Sequence, residues 1–196
     1  MTPIEFIHLC APELAPVTIA AIVQQESGGN PYRLHDNTTR KSWQPINATA
    51  SAQLAYELIK SGHSVDIGLA QINSKNLPAL GLKIEDALDP CTNLRAAQSV
   101  LKTAWEQSGH DLRKTLAAYN TGNSGSIAGA RYSAQVFAQA GVKVPSIPDG
   151  AMAKWVNQNP AWVPSALPPI RPTMTWTPAA SPLQPNSNGL SPRTMP

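Results

Sequence analysis

Charge is scarce in this chain, with Asp, Glu, Lys and Arg together making 14% of its 196 residues, and it does not gather on one sign. Residues 1–150 carry twelve basic and twelve acidic side chains, so the excess of three positive charges (Lys154, Arg171, Arg193) lies entirely beyond residue 150. A balanced folded part has no basic stripe of the kind that neutralises phosphates, which excludes a nucleic-acid partner for it. Long apolar runs are missing as well: no stretch of 18 uncharged apolar residues occurs, which excludes a transmembrane helix. The first 25 residues do not read as a secretory signal, because Glu5, Pro12, Glu13 and Pro16 interrupt the apolar run and no basic segment precedes it. Glycine-rich phosphate loops are absent. His8, His35, His63 and His110 have no ligand spacing and accompany no serine or cysteine motif. No metal or other cofactor is therefore expected, and these histidines read as solvated or turn residues. Cysteine is limited to Cys10 and Cys91, in neither a CxxC nor a Cys/His pattern. On spacing alone two readings stay open, two buried thiols or a disulfide. The second would close a loop of about 80 residues, an upper-bound stabilisation of roughly 4.5 kcal/mol, and would imply an oxidising compartment.

What remains is an ordinary globular composition, long enough for one domain with a real core. Ten of the nineteen prolines follow residue 150, with Trp155, Trp162 and Trp176 and no acidic residue. Such a segment cannot supply the interior of helices or sheets. The expected division is a compact domain over residues 1–150 and a proline-rich tail over 151–196. The tail reads either as flexible or as a docking strand whose tryptophans meet a partner.

The compact part has mainly helical periods. In PVTIAAIVQQESGG, Ile19, Ile22, Val23 and Glu26 share one face, Pro16 suits a first turn, and Gly28, Gly29 and Asn30-Pro31 end the helix. Further helices are expected over 49–61 with Leu54, Leu58 and Ile59 as stripe, from the Asp89-Pro90 turn to Gly109, from the N-cap Asp111 to Gly122, and over 127–140. HSVDIGLAQINS, with its β-branched residues, suits a short strand or irregular segment between the second and third.

Glu26 is the first candidate for chemistry. The period puts it on the apolar face and at the helix C-terminus, and both placements disfavour the ionised form, through lost hydration and through the negative end of the helix dipole. An acid working near neutral pH needs such a shift; a structural glutamate at the domain rim is the other reading. GLAQIN (68–73) and AAYNTG (117–122) add Gln71, Asn73, Tyr119 and Asn120, uncharged groups that donate and accept hydrogen bonds. Hydroxyl-rich sugars suit such groups, although each alone also reads as a core amide, a core phenol or a helix-end residue.

Taken in order, Glu26-Ser27, GLAQIN and AYNTG resemble the three motifs of the lytic transglycosylases of the goose-type lysozyme superfamily. APVTIAAIVQQESGGNPY, the pair of Cys10 and DPCTNL, RYSAQV around Tyr132, and VPSIPDGAMAKWV (144–156) are similar to the specialised members serving type IV secretion and conjugation machines. The resemblance covers about residues 8–156. It implies a mainly α, lysozyme-like fold with a short β or irregular segment forming one wall of a saccharide cleft, a disulfide between Cys10 and Cys91, and a periplasmic location. It implies cleavage of the β-1,4 bond between N-acetylmuramic acid and N-acetylglucosamine, the muramyl 6-hydroxyl closing on the anomeric carbon to give a 1,6-anhydro end. Glu26 would serve as acid and then base. Ser27 would orient it or the substrate's acetamide, Gln71 and Asn73 would line the groove, and Tyr119 would bond the glutamate or the sugar. Asn120 would hold substrate near the cleaved bond, and Tyr132 would lie close to the acid. The partners implied are peptidoglycan strands and, through the tail, other machine components. Most glycosidases use two carboxylates, so Asp66, read as lying in a turn-like stretch, is the candidate for a hydrolytic alternative; a non-catalytic wall-binding role is the other. Ala70 departs from the family pattern, where methionine or another bulky residue is common.

Overall fold

A computed structural model describes residues 3–141; VPSIPDGAMAKWV, the boundary at residue 150 and the proline-rich tail lie outside the described residues. Eight α-helices and four short strands follow one another in this span: α1 (Pro3–Cys10), α2 (Pro16–Ser27), β1 (Leu34–Asp36), β2 (Lys41–Trp43), α3 (Ala48–Lys60), β3 (Val65–Ile67), β4 (Ile72–Asn73), α4 (Leu77–Leu80), α5 (Ile84–Leu88), α6 (Pro90–Gln107), α7 (Leu112–Thr121) and α8 (Ile127–Gln139).

The expected helices form where local chemistry starts and stops them. Asp89 caps α6 through the Thr92 N–H, and Asp111 caps α7 through the Arg113 and Lys114 N–H groups. Gly28 and Gly122 close α2 and α7 in the left-handed conformation that glycine adopts without a Cβ penalty. In α3 the stripe differs from expectation: Ser51 and Ala55 are the fully buried residues, while Leu54, Leu58 and Ile59 lie half-buried against the core. Two small residues let the helix axis come close to its neighbours, and the Ser51 hydroxyl is satisfied by the carbonyl of Tyr32.

The expected short β segment is part of a larger element. An antiparallel four-stranded sheet runs in the order β2-β1-β3-β4, with Leu34 opposite Ile67, His35 opposite Asp66, and Asp66 opposite Asn73. The strands LHD and KSW are too short and polar to show a period; β1 forms by pairing with β3, and β2 by pairing with β1. Leu34, Ile67 and Ile72 turn inward to a core shared with Ile19 and Ile22 of α2, Leu94 and Leu101 of α6 and Leu116 of α7. Each such side chain contributes about 1.5–3 kcal/mol by leaving water.

Two polar devices hold this frame. Glu13, buried in the turn before α2, meets Gln98 by a hydrogen bond at 3.2 Å and Lys102 at 3.0 Å, tying the turn to α6. Asp36 is buried in β1, and burial works against its charge. Hydrogen bonds from the Thr39 hydroxyl, the Thr38 and Thr39 backbone and the His63 ring outweigh that cost and lower its pKa to about 2. His63 is thus not a merely solvated turn residue; it joins the end of α3 to β1 at 2.8 Å. The chain also closes on itself covalently, since Cys10 at the end of α1 is disulfide-bonded to Cys91 in the first turn of α6. Between the two open readings of the cysteines, the bond is the one observed.

Candidate active site

Helix α2 delivers Glu26 to the interior. Ile19, Ile22 and Val23 bury the same face, and Glu26, one turn beyond Ile22, is only 4% exposed. Immediately after it the helix is locked. The Ser27 hydroxyl donates to the Val23 carbonyl and accepts the Gly29 N–H, both at 3.2 Å, so Ser27 acts on Glu26 through the backbone that both belong to.

Helix α8 brings the partner. Gly129 lets α8 approach α7 so closely that a Cβ there would sit 2.7 Å from the Ala117 Cβ. One turn further, Tyr132 points to α2 and its hydroxyl donates to Glu26 Oε1 at 2.6 Å. A phenol-to-carboxyl bond of this length lies at the short end of the O–H···O range, and it strengthens when the carboxyl is ionised. On the outer side of the same contact, Gln25 is bonded to Gln135 and Gln139 at 3.3 and 3.4 Å, so α2 and α8 are joined on both sides of the acid.

Tyr119 of α7 stands beside Tyr132 with ring centroids 6.4 Å apart. Its proton goes to the Ala70 carbonyl at 2.7 Å, and not to the glutamate or to an open sugar site; a phenol has one proton to give. Asn120 follows it on the last turn of α7 and is buried. Gln71 and Asn73, expected to line a groove, are each only 1% exposed. Gln71 adopts a left-handed backbone with φ of 51° and donates from Nε2 to the carbonyls of Gly68 at 2.8 Å and Arg33 at 3.0 Å. Asn73 donates to Asp66 Oδ1 at 2.8 Å and exchanges hydrogen bonds with Ser64. These amides shape the segment and do not face solvent.

Asp66 requires a correction. It is not in a surface turn but in β3, fully buried, with Asn73 opposite it and bonded to it. The period-2 rule puts it, His35 and Asn73 on one face of the sheet.

Asn93 was not foreseen. From the first turns of α6 it donates to the Ile67 and Ala87 carbonyls at 2.8 and 2.7 Å and accepts the Ala70 N–H at 2.8 Å. Ala70 is therefore held at both ends of its peptide, by Asn93 and by Tyr119. A signal was present: Asn93 lies four residues before Ala97 and eight before Leu101, an amide on the apolar face of its helix. Among the described residues no cluster of three or more His, Cys, Asp or Glu side chains is arranged to hold a metal, and no helix is long and apolar enough to cross a membrane.

A buried acid ending one helix, with a phenol bonded to it from another and a sheet segment fastened by Asn93 and Tyr119, is an arrangement in which one carboxyl can give and take a proton. The sequence profile of the transglycosylase SLT domain matches residues 5–135. The chain belongs to that family. The mainly α, lysozyme-like architecture with a small antiparallel sheet is that of this transglycosylase domain. Relatives include protein virB1 of Agrobacterium fabrum (strain C58 / ATCC 33970), 40% identical over 124 residues, covering 60% of this chain and 51% of the relative. Protein virB1 of Rhizobium radiobacter is 39% identical over 128 residues, 61% of this chain and 54% of the relative. The type IV secretion system protein virB1 of Brucella abortus biovar 1 (strain 9-941) is 36% identical over 122 residues, 58% and 51%. The chain thus spans about half the length of the curated relatives it matches. No solved structure gives a significant match.

Proposed function

We propose that this member of the SLT family is a peptidoglycan lytic transglycosylase, with Glu26 as acid and base, that opens the wall locally for a type IV secretion or conjugation machine. The observation that carries the reading is the Glu26 carboxyl, buried at the end of α2 with Tyr132 bonded to Oε1 at 2.6 Å. With Oε1 engaged, the proton that moves belongs to Oε2. It passes to the bridging oxygen between N-acetylmuramic acid and N-acetylglucosamine as that bond breaks. The resulting carboxylate takes the proton of the muramyl 6-hydroxyl as that oxygen bonds to the anomeric carbon, and Glu26 ends protonated as it began. The substrate's own acetamide stabilises the oxocarbenium-like centre, which is why one carboxylate suffices. In this reading Asn120 contacts the sugar, Ser27 fixes the acid's backbone, and Gln71, Asn73 and Tyr119 hold the wall of the cleft. The catalytic domain is residues 1–150, and the tail 151–196 tethers it to other machine components. The Cys10–Cys91 bond supports a periplasmic location, and the relatives' secretion-system names support the machine.

Purified wall digested with wild type should yield muropeptides ending in 1,6-anhydromuramic acid, one water lighter than reducing ends. Glu26→Gln should lose about 10²- to 10⁴-fold in rate; undiminished lysis by that variant would remove the enzymatic reading. A second reading draws on the burial of Asp66, a carboxylate kept inside the protein at 0% exposure. If it assists a hydrolytic reaction, reducing ends appear and Asp66→Asn abolishes them. In the transglycosylase reading the ends stay anhydro in that variant, and its rate falls only as far as its stability does.

A further inference from the structure

The balance of charge along the chain conceals a division of its surface. Residues 31–76, which contain the whole sheet, hold five basic and three acidic side chains. Two of those acids, Asp36 and Asp66, are buried at 0% exposure, so Glu57 is the one exposed acid against the five. The rest of the described residues hold six basic and eight acidic side chains, and Glu13 and Glu26 are buried among the latter, leaving six against six. The positive excess of the described surface therefore belongs to the sheet segment.

Backbone pairing gathers four of the five cations at one end of the sheet. Asp36 lies opposite Lys41 on one side and Val65 on the other, so the β1–β2 turn that carries Arg40 meets the residues leading from α3 into β3. There the Asn37 N–H donates to the Ser64 carbonyl at 2.8 Å, and Lys60 ends α3 just before that connection. The Val65 N–H donates to Ser74 Oγ at 3.1 Å, which brings Lys75 to the same end. Arg40, Lys41, Lys60 and Lys75 are all exposed, and none has a carboxylate within ion-pair distance among the described residues. The acid closest to them along the backbone, Asp36, is already answered by Thr38, Thr39 and His63. Arg40 moreover holds a left-handed backbone with φ of 60°, uncommon for a side chain of this kind, so the turn keeps an arginine where its geometry alone favours glycine.

Exposed cations on flexible stems hold a single small anion weakly, each contact being worth a factor of about 1.4 to 5. Their effects sum on a polymer that carries several spaced negative charges. β3 runs from this end of the sheet to the GLAQIN turn, roughly 13 Å from Ser64 to Gly68 at about 3.3 Å per residue, so a polymer held by the cations lies beside the segment that Asn93 and Tyr119 fasten. We infer that the sheet end carrying Arg40, Lys41, Lys60 and Lys75 is a docking surface for the carboxylates of peptidoglycan stem peptides. The inference rests on the proposed peptidoglycan reading, which supplies a polymer of neutral sugar rings with a carboxylate-bearing peptide on its muramyl residues. The cleft then deals with the neutral sugars, while the cations hold the charge that hangs beside them and take no part in the reaction.

Co-sedimentation of the full chain with purified insoluble wall, with Glu26→Gln as the parent so that the wall stays intact, tests this. Replacing the four cations by glutamine should weaken binding by about tenfold or more. Raising salt from about 50 to about 200 mM should weaken the parent strongly and the variant little. Wall whose carboxylates have been converted to amides should hold the parent no better than native wall holds the variant. Glutamine at Lys83, Arg95, Arg113 and Lys114, an equal charge removed outside residues 31–76, should change binding by less than about twofold. A loss there equal to that of the sheet variant makes net charge alone responsible and overturns the site, as does undiminished binding in the sheet variant or to amidated wall. Phosphatidylglycerol vesicles that bind the parent as tightly as wall does overturn the wall assignment. Thermal unfolding checks that each variant is folded. With Glu26 restored, the sheet variant should cleave soluble, peptide-free glycan at the wild-type rate; a loss there matching the loss of binding puts the cations in the cleft and overturns the docking role. Because binding is read with the acid removed, its failure is distinguishable from failure of the enzymatic reading.

Discussion

Tyr132 holds Glu26 by one bond, and that bond sets a measurable ratio. Removing the hydroxyl with Tyr132→Phe deletes a hydrogen bond to the acid, an interaction in the class worth about 1.5–3 kcal/mol. The proposed cleavage rate should fall by about tenfold or more while the KM for glycan changes little, as checked by initial rates on purified wall. Combined with Glu26→Gln, the second change should cost almost nothing further, since both act on one proton; full additivity would place Tyr132 elsewhere in the mechanism. Glu26 was legible in the sequence because a helical period reveals a charge on an apolar face. Tyr132 as its bonded partner was not, since its pairing spans 106 residues and arises from how close Gly129 lets α8 come to α7. The amides behave in the opposite way. Gln71 and Asn73 stood out as sugar-binding types, yet the one clamps carbonyls across a left-handed turn and the other fastens Asp66. GLAQIN therefore reports backbone geometry, and a copy of this chain with Glu26 replaced should keep that geometry without activity.

At the level of elements, the sheet and the GLAQIN turn depend on contacts too tight for substitution. Gly68 has a φ of +81°, and a Cβ there would lie 2.5 Å from Asn93 Nδ2 and 2.6 Å from the Ala87 carbonyl. Gly68→Ala should destabilise the fold by more than about 2 kcal/mol, combining backbone strain with overpacking, and should appear as a lowered Tm. The Asp36 network gives a pH signature. Its folded pKa of about 2 lies below the ordinary aspartate value of 3.8, so folding favours the charged form. The stabilisation, on the order of 2 kcal/mol, is complete well above pH 4 and is lost as pH falls toward 2. Denaturant unfolding of wild type and Asp36→Asn should differ at pH 7 and converge near pH 2. Helices α2, α3, α6, α7 and α8 were legible because their caps and periods are local. Strands β1 and β2 were not, because three residues of LHD or KSW carry no period and acquire their structure from cross-strand pairing, β1 with β3 and β2 with β1.

For the molecule as a whole, the disulfide constrains everything between α1 and α6, a separation of 81 residues. Reduction should lower stability by up to about 4.5 kcal/mol in the chain-entropy model, seen as a fall in the denaturant midpoint with dithiothreitol that Cys10→Ser reproduces without it. The bond was legible through the family resemblance and not through spacing, which fits both thiol readings; the packing of α1 on α6 is what brings the two sulfurs together. The bond also changes how far apart the reacting groups are. Counted along covalent bonds, the route from Glu26 to Tyr132 no longer runs forward through the sheet; it goes back to Cys10, across the sulfurs and on from Cys91. That route is roughly half the chain separation, and each halving of a loop eases its closure by about 0.6 kcal/mol. The oxidation state of two cysteines thus enters the entropy of bringing the acid and its phenol together as the chain folds.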